Sequence, residues 1–384
     1  MSTADALPPL SLYIHVPWCV RKCPYCDFNS HQQPAELPEA AYVEALLDDF
    51  SRDSDAVAGR PLQSIFIGGG TPSLFSAAAY ERLLRGLTQR LRFADDIEIT
   101  LEANPGTAEQ RRFRDYRQAG INRLSIGIQS FDPAQLQTLG RIHGREEALR
   151  AATLAVAAGF DNFNLDLMFG LPGQRAEEAL ADLRTAISCG PSHLSWYQLT
   201  IEPNTEYFRR PPTLPPDDLI ADLQEAGIAL LAEQGFGRYE ISAYSQPGRQ
   251  ARHNLNYWEF GDYLGIGAGA HGKLSTRRED GSLAIVRTRK TRMPQHYLAA
   301  AGHYTSERSE LPAAQLPFEF MMNALRLCGG VDARLYRGRT GLAPPLALLA
   351  QLRAKGLLLP SQERLCASAR GLDHLNSLLL EFLG

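Results

Sequence analysis

The chain has 384 residues, with 39 Lys and Arg against 43 Asp and Glu and a formal charge of −4. That balance excludes a basic nucleic-acid coat, and no nucleic-acid partner is expected. A composition of 44% hydrophobic and 21% charged residues excludes a largely disordered chain. The length suits one large α/β domain plus a smaller second unit. No window approaches roughly 18 consecutive apolar residues, and MSTADALPPLSLYIHVPW has no basic region ahead of an apolar one. A soluble cytoplasmic protein is therefore expected.

Short β-branched and aromatic runs alternate with helical patterns along the first two thirds of the chain. Strands are expected at SLYIHV (Ser11 to Val16), QSIFIG near Ile65, DIEITLEA near Ile99, RLSIGIQS near Ile126, FNLDLMF near Leu165, HLSWYQLTI near Tyr197 and YEISAY near Ile241. Helices are expected at Glu39 to Phe50, Ala77 to Leu91, Ala108 to Gln118, Glu146 to Ala158 and Ala176 to Ile187. Connections of that length join parallel strands. About six βα units in series favour a partial (β/α) barrel over a dinucleotide-binding sheet, because the first strand ends in cysteines rather than in a glycine fingerprint. Pro-rich breaks at Arg209 to Pro216 and Leu311 to Phe318 mark a surface loop and a boundary. Beyond Leu311 the chain reads as a small, mainly helical tail that resembles a winged-helix module; without a clustered basic face it suits protein contact better than DNA. The expected division is a short flexible N-terminus at 1–10, a barrel over 11–250 and a C-terminal region over 251–384, helical from about 311.

Three of the six cysteines crowd into CVRKCPYCDF, as Cys19, Cys23 and Cys26, just after the first strand. In a reducing compartment this spacing points to metal. A structural zinc site needs four ligands, with His15 or His31 available as the fourth. Three thiolates alone suit a 4Fe-4S cluster with one iron left open, useful only if something other than protein binds there. The second strand ends in GGGTPS (Gly68 to Ser73), where missing side chains let backbone groups approach a small charged ligand.

The CxxxCxxC spacing at the mouth of a βα barrel resembles the radical S-adenosylmethionine superfamily, in which the methionyl group chelates the open iron. YIHVPWCxxxCPYC, GGGTPS, LEANP, LSIGIQSF, GRIH and NLDLMFGLPGQ, in this order over roughly Ser11 to His271, resemble the oxygen-independent coproporphyrinogen III dehydrogenase family. The resemblance implies that Cys19, Cys23 and Cys26 ligate the cluster. It places Tyr13 near S-adenosylmethionine, Gly69 at its methionyl part and Glu102 on its ribose hydroxyls. Tyr25, Gly70, Thr71, Gln129, Arg141, Asp166 and Thr200 match positions around a second S-adenosylmethionine. Taken without the resemblance, Glu102 and Asp166 could simply cap helices, and Arg141 could be a surface charge.

Two departures choose a branch within that family. The dehydrogenases carry a fourth cysteine two residues after the cluster motif, where this chain has Phe28, and a long N-terminal extension, where only 12 residues precede Tyr13. Both favour the heme chaperone (HemW-like) branch over decarboxylase activity. HNLNYW (His253 to Trp258) resembles that branch's HNxxYW signature: a histidine to ligate heme iron, with Tyr257 and Trp258 as flat faces for the porphyrin. On chemistry alone a histidine beside aromatics is usually a satisfied loop or core residue. GIGAGAHGK (Gly265 to Lys273) contains GxGxxG, but the following LSTRREDGS is too polar for the helix a dinucleotide site requires, so it reads as a close-packed turn beside HNLNYW. Cys189, Cys328 and Cys366 read as buried small hydrophobes.

The sequence thus implies a cytoplasmic heme chaperone holding a 4Fe-4S cluster, S-adenosylmethionine and heme, which passes heme to acceptor proteins, membrane-associated ones among them. The competing readings are a coproporphyrinogen III dehydrogenase, in which a 5′-deoxyadenosyl radical attacks propionate side chains, and a zinc-stabilised structural barrel.

Overall fold

The computed structural model describes residues 6–57, 59–106 and 112–383. Twelve strands form one sheet: β1 (Leu10–Val16), β2 (Leu62–Gly69), β3 (Phe93–Ala103), β4 (Arg123–Gln129), β5 (Phe163–Phe169), β6 (His193–Gln198), β7 (Gly237–Glu240), β8 (Ala243–Ser245), β9 (Asp262–Ile266), β10 (His271–Arg277), β11 (Leu283–Lys290) and β12 (Thr305–Glu310). Their order across the sheet is β12-β11-β10-β9-β1-β2-β3-β4-β5-β6-β8-β7. The six strands from β1 to β6 are parallel neighbours, and β9 joins β1 in parallel on the other side. The two flanks are antiparallel. The linear order leaves the barrel open.

Parallel strands covered by helices are apolar on both faces. β1 (LSLYIHV) is buried at every position but Tyr13, and β4 and β5 are almost as fully enclosed. The crossover helices Glu39–Asp53, Ala77–Thr88, Arg145–Ala157 and Ala176–Ser188 cover the outer face, each within a few residues of expectation. The helix expected over Ala108 to Gln118 is seen as Phe113–Gln118, its first residues lying partly outside the described ones. Because every parallel strand ends at the same rim, Val16 sits beside Gly69, Ala103 beside Ile126 and Phe169 beside Gln198. The site is built on that rim.

YEISAY does not form one strand. The Glu240 carboxylate accepts from the Ser242 backbone N–H and hydroxyl, both at 2.9 Å, and folds a turn between β7 and β8. The sheet also runs past residue 250: β9 to β12, from Asp262 to Glu310, extend it beyond β1, so LSTR continues a strand that begins at His271. The end of the N-terminal segment is fastened to these strands, with the Pro9 carbonyl accepting from the Asp262 N–H at 3.0 Å; residues 1–5 lie outside the described ones. From Leu316 five short helices and a two-stranded ribbon (Val331–Asp332 with Arg364–Leu365) enclose a second apolar core. That core includes Tyr239 and Ala243 of the barrel's edge and Phe260.

The late strands are tied to the first βα unit by buried charge. Lys290 on β11, 1% exposed, donates to Asp49 at 2.5 Å and Asp53 at 2.6 Å, both on the helix Glu39–Asp53. Tyr297 donates to the same Asp49 at 2.6 Å. On β9, Asp262 accepts from Lys273 at 3.1 Å and Arg60 at 2.9 Å. Breaking a buried pair from one side strands an uncompensated charge. Lys290→Ala should therefore cost about 3–5 kcal/mol in chemical denaturation; a loss near zero would show that the pair does not secure this edge.

Candidate functional site

The loop after β1 is shaped by local hydrogen bonding. Trp18–Cys19 pairs with His31–Gln32 and pinches the loop that carries Cys19, Cys23 and Cys26. The glycine turn of β2 lies against its base: Gly70 donates to the Val16 carbonyl at 2.8 Å and Thr71 to the Trp18 carbonyl at 2.7 Å. A Cβ at Gly70 would sit 2.5 Å from the Trp18 oxygen, and one at Gly69 only 2.6 Å from the His15 ring; Gly69 also has φ +118°. Glycine is required at both.

A cavity of roughly 450 Å³ opens there, lined by all three cysteines and by Tyr25, Gly69, Gly70, Thr71, Glu102, Gln129, Arg141, Asp166 and Thr200. Every residue that the sequence assigned to the cluster or to the second S-adenosylmethionine is thus in one chamber. Burial raises the Cys19 and Cys26 thiols. Arg141 is no surface charge. It donates to Asn104 at 2.6 Å, to the Gly127 carbonyl at 2.7 Å and to the Cys23 sulfur at 3.6 Å, and its Nε, enclosed, has no partner among the described residues. Asn104 in turn donates to Thr71 at 3.0 Å, a link between the LEANP and GGGTPS motifs that the sequence analysis did not single out. Gln129 holds φ +71° at a register shift of β4 and accepts from the Tyr197 hydroxyl at 2.7 Å; such strain at a strand end marks functional ground.

Neither carboxylate caps a helix. Asp166 accepts from Ser125 at 2.9 Å and Asn164 at 2.8 Å, and burial raises it. Glu102 accepts from the Gly69 N–H at 3.0 Å, and burial, then the Asp166 charge, push it up to about 8.

The donor set suits a cluster better than a single ion. Among the described residues no three His, Cys, Asp or Glu side chains gather closely enough for one metal ion. His15 offers no fourth ligand: its Nε2 donates to the Asn29 carbonyl at 2.9 Å, so its Nδ1 accepts from the Tyr13 hydroxyl at 2.9 Å and both nitrogens are engaged. His31 is bonded to Asn29 at 3.1 Å.

A second cavity, of about 410 Å³, adjoins the first and shares Phe28, Gly69 and Glu102 with it. Its other walls include Tyr13, Phe66, His253, Tyr257, Tyr263 and His271. Tyr13, expected near S-adenosylmethionine, lines this chamber together with Gly69 and Glu102. HNLNYW forms the helix Arg252–Trp258, whose first N–H groups donate to the buried Glu98 carboxylate, Arg252 at 2.9 Å and His253 at 3.4 Å. The His253 ring lies 5.2 Å from Phe66 and 6.4 Å from Tyr13. Its Nδ1 meets the Ser64 hydroxyl at 3.3 Å, which leaves Nε2 free. Burial, then the Arg123 charge, lower it to about 4, so it is a neutral imidazole at neutral pH. Trp258 does not join it: it packs on the C-terminal core, with the Arg326 guanidinium 4.5 Å above its ring. Phe66, Tyr263 and His271 were not foreseen; only the place of His271 inside GIGAGAHGK hinted at it.

The geometry defines a radical S-adenosylmethionine protein, and the comparisons agree. The radical SAM superfamily model matches residues 13–186, and that of the HemN C-terminal domain matches residues 311–374. The chain is 52% identical over 379 residues to heme chaperone HemW of Escherichia coli (strain K12), covering 98% of this chain and 99% of the relative. The Haemophilus influenzae heme chaperone HemW is 54% identical over 341 residues, 88% of each chain. A bovine relative, radical S-adenosyl methionine domain-containing protein 1, mitochondrial, is 34% identical over 398 residues, covering 100% of this chain and 89% of that one. The chain belongs to the heme chaperone HemW family. The solved structure of coproporphyrinogen III oxidase (HemN) from Escherichia coli, a radical SAM enzyme, shares its fold, with a TM-score of 0.81 over 99% of this chain and 92% of that one at 23% identity. The superfamily's cofactors are a 4Fe-4S cluster and S-adenosylmethionine, and the cysteine chamber fits both.

Two measurements probe this chamber. Anaerobically prepared protein should hold about four iron and four sulfide per chain, and Cys23→Ser should lose most of both; stoichiometric zinc without sulfide is the contrary result. The second concerns Glu102, which keeps its proton in the folded chain up to about pH 8 but releases it near the ordinary 4.5 when unfolded. The folded state binds the extra proton between those values, so this group's contribution to stability is present at low pH and lost as pH rises through about 8. As pH rises from about 5 to 8.5, melting of the apoprotein should shift in favour of Glu102→Gln relative to wild type. A constant difference between the two would place the Glu102 pKa near its ordinary value.

Proposed function

We propose that this chain is a heme chaperone, taking up heme in the aromatic chamber beside its cluster chamber and passing it to acceptor proteins. One observation carries the reading: a free, neutral imidazole, His253, stands among aromatic rings in a cavity that meets the cysteine cavity at Gly69 and Glu102. An iron ligand gives orientation, and rings of Tyr13, Phe66, Tyr257 and Tyr263 hide part of a large apolar macrocycle from water. Trp258 is assigned a structural part instead.

In the neighbouring chamber Cys19, Cys23 and Cys26 would hold the cluster, with the Arg141 guanidinium offsetting thiolate charge at Cys23. Gly69 and Gly70 present bare backbone to a methionyl group, and the Glu102 carboxyl would accept from ribose hydroxyls. Tyr25, Thr71, Gln129, Asp166 and Thr200 line the remaining space, which suits a second S-adenosylmethionine. When bound, the cluster and S-adenosylmethionine supply one-electron chemistry. Phe28, 58% exposed and lining both chambers, occupies the position where the dehydrogenases carry a cysteine. Among the described residues no helix is long and apolar enough to cross a membrane, in keeping with a cytoplasmic chaperone that meets acceptors, membrane-associated ones included, from the aqueous side.

The purified protein should bind heme, and His253→Ala should change its absorption spectrum and weaken retention more than Tyr257→Ala does, while Trp258→Ala should lower stability and leave the spectrum alone. Heme retained by His253→Ala with an unchanged spectrum would refute the placement. Efficient anaerobic decarboxylation of coproporphyrinogen by the wild type would favour the dehydrogenase reading instead.

A further inference from the structure

The second chamber contains three histidines, and they differ in what their nitrogens are doing. Both nitrogens of His15 are engaged, and His253 has one free. His271, the exposed first residue of β10, makes no hydrogen bond from either nitrogen among the described residues. Its position is set by the sheet. β9 pairs with β10 at Tyr263 and Lys273, so two residues along, Gly265 faces His271. Gly265 pairs with Tyr13, and Tyr13 with Phe66. Phe66, Tyr13, Gly265 and His271 therefore form one transverse row, whose side chains share a face of the sheet.

Glycine is required in that row. A Cβ at Gly265 would lie 1.9 Å from the His271 carbonyl oxygen, so the absence of a side chain there lets the backbone of β10 close against β9 and bring His271 to the wall of the chamber. The His253 ring lies over the other end of the row, at Phe66 and Tyr13. Three strand spacings, roughly 14 Å, separate β10 from β2. A flat ring with a nitrogen ligand on each face fits between backbones that far apart. Heme iron offers two axial positions, one on each face of the macrocycle.

We propose that His271 is the second axial ligand of the heme iron, opposite His253, with the macrocycle held in the chamber that both histidines line. This inference rests on the heme-chaperone reading above and adds to it a ligand from outside HNLNYW. It also gives GIGAGAHGK a role: its first glycine lets β10 close against β9, and its histidine reaches the iron. His253 is the enclosed ligand and His271 the exposed one, so His271 is the ligand that an acceptor protein reaches first.

Heme is added to purified wild type, His271→Ala, His253→Ala and, as a control from outside the chamber, His303→Ala, and the ferric and ferrous complexes are compared by absorption and electron paramagnetic resonance. Wild type and His303→Ala should be six-coordinate and low-spin. His271→Ala should keep its heme but turn five-coordinate and high-spin, with free imidazole restoring the low-spin spectrum. Its cluster absorbance and melting temperature, unchanged from wild type, show that the fold is intact. A low-spin His271→Ala complex, or a five-coordinate wild type that depends only on His253, overturns the assignment of His271 and leaves the chaperone reading standing. Wild type that takes up no heme overturns both.

Discussion

Both chambers exist because the backbone at Gly69 and Gly70 lies against the strand and loop that carry His15 and the cysteines, with no Cβ between them. The contact is made by four consecutive features of the chain: a strand buried on both faces, a pinched loop, a bare strand end and the Val16–Gly69 register that brings them level. Gly69 does more than leave space. Its N–H holds the Glu102 carboxylate, and Gly69 and Glu102 together form part of the partition between the chambers. The partition is thin and ionisable, with a charge that depends on proximity to Asp166 and on how much water reaches it.

Around this contact the fold devotes buried charge to holding the late strands in place. Lys290 with Asp49 and Asp53, and Asp262 with Arg60, join residues more than two hundred positions apart, while Asp262 with Lys273 ties β9 to β10. Buried ion pairs seldom add much net stability over apolar replacements, but they penalise every arrangement that leaves one member alone. Here they select one register for strands whose own sequence is too polar to select it. β12, TSERSE, is exposed along its whole length.

That contrast explains what the sequence revealed. The parallel strands were legible because each is a run of apolar residues between helical patterns, and the cluster site because three cysteines and a glycine turn fall at the end of the first two of them. β9 was not, because its buried run DYLGI is only five residues long and leads into a glycine-rich turn, and β10 to β12 were not, because strands toward a solvated edge carry Thr, Ser, Arg and Glu and look like a loop. YEISAY looked like a single strand because its turn is made by the Glu240 side chain and contains no glycine or proline. Which residues share a wall was legible for the chamber whose walls lie at strand ends and less so for the one walled by a helix. Tyr257 and Trp258 are neighbours in sequence, but one residue along an α-helix is about 100° of rotation, enough to put the first on the cavity wall and the second on the C-terminal core, their rings meeting edge to face at 5.0 Å. The reach of Tyr13 toward His15, away from the cysteines, depends on which histidine nitrogen is free, and a motif does not encode that.

The helix Arg252–Trp258 is only seven residues long, about 10 Å, and nothing in it is spare. His253 and Tyr257 wall a cavity. Asn256 donates to Ser11 on β1 and to the Asp262 carbonyl on β9, both at 2.9 Å, while Trp258 is clasped by Arg326 of the C-terminal unit. One short helix thus ties the C-terminal core, at Trp258, to the cavity wall, at His253, so the position of the imidazole is set in part by the unit on which Trp258 packs.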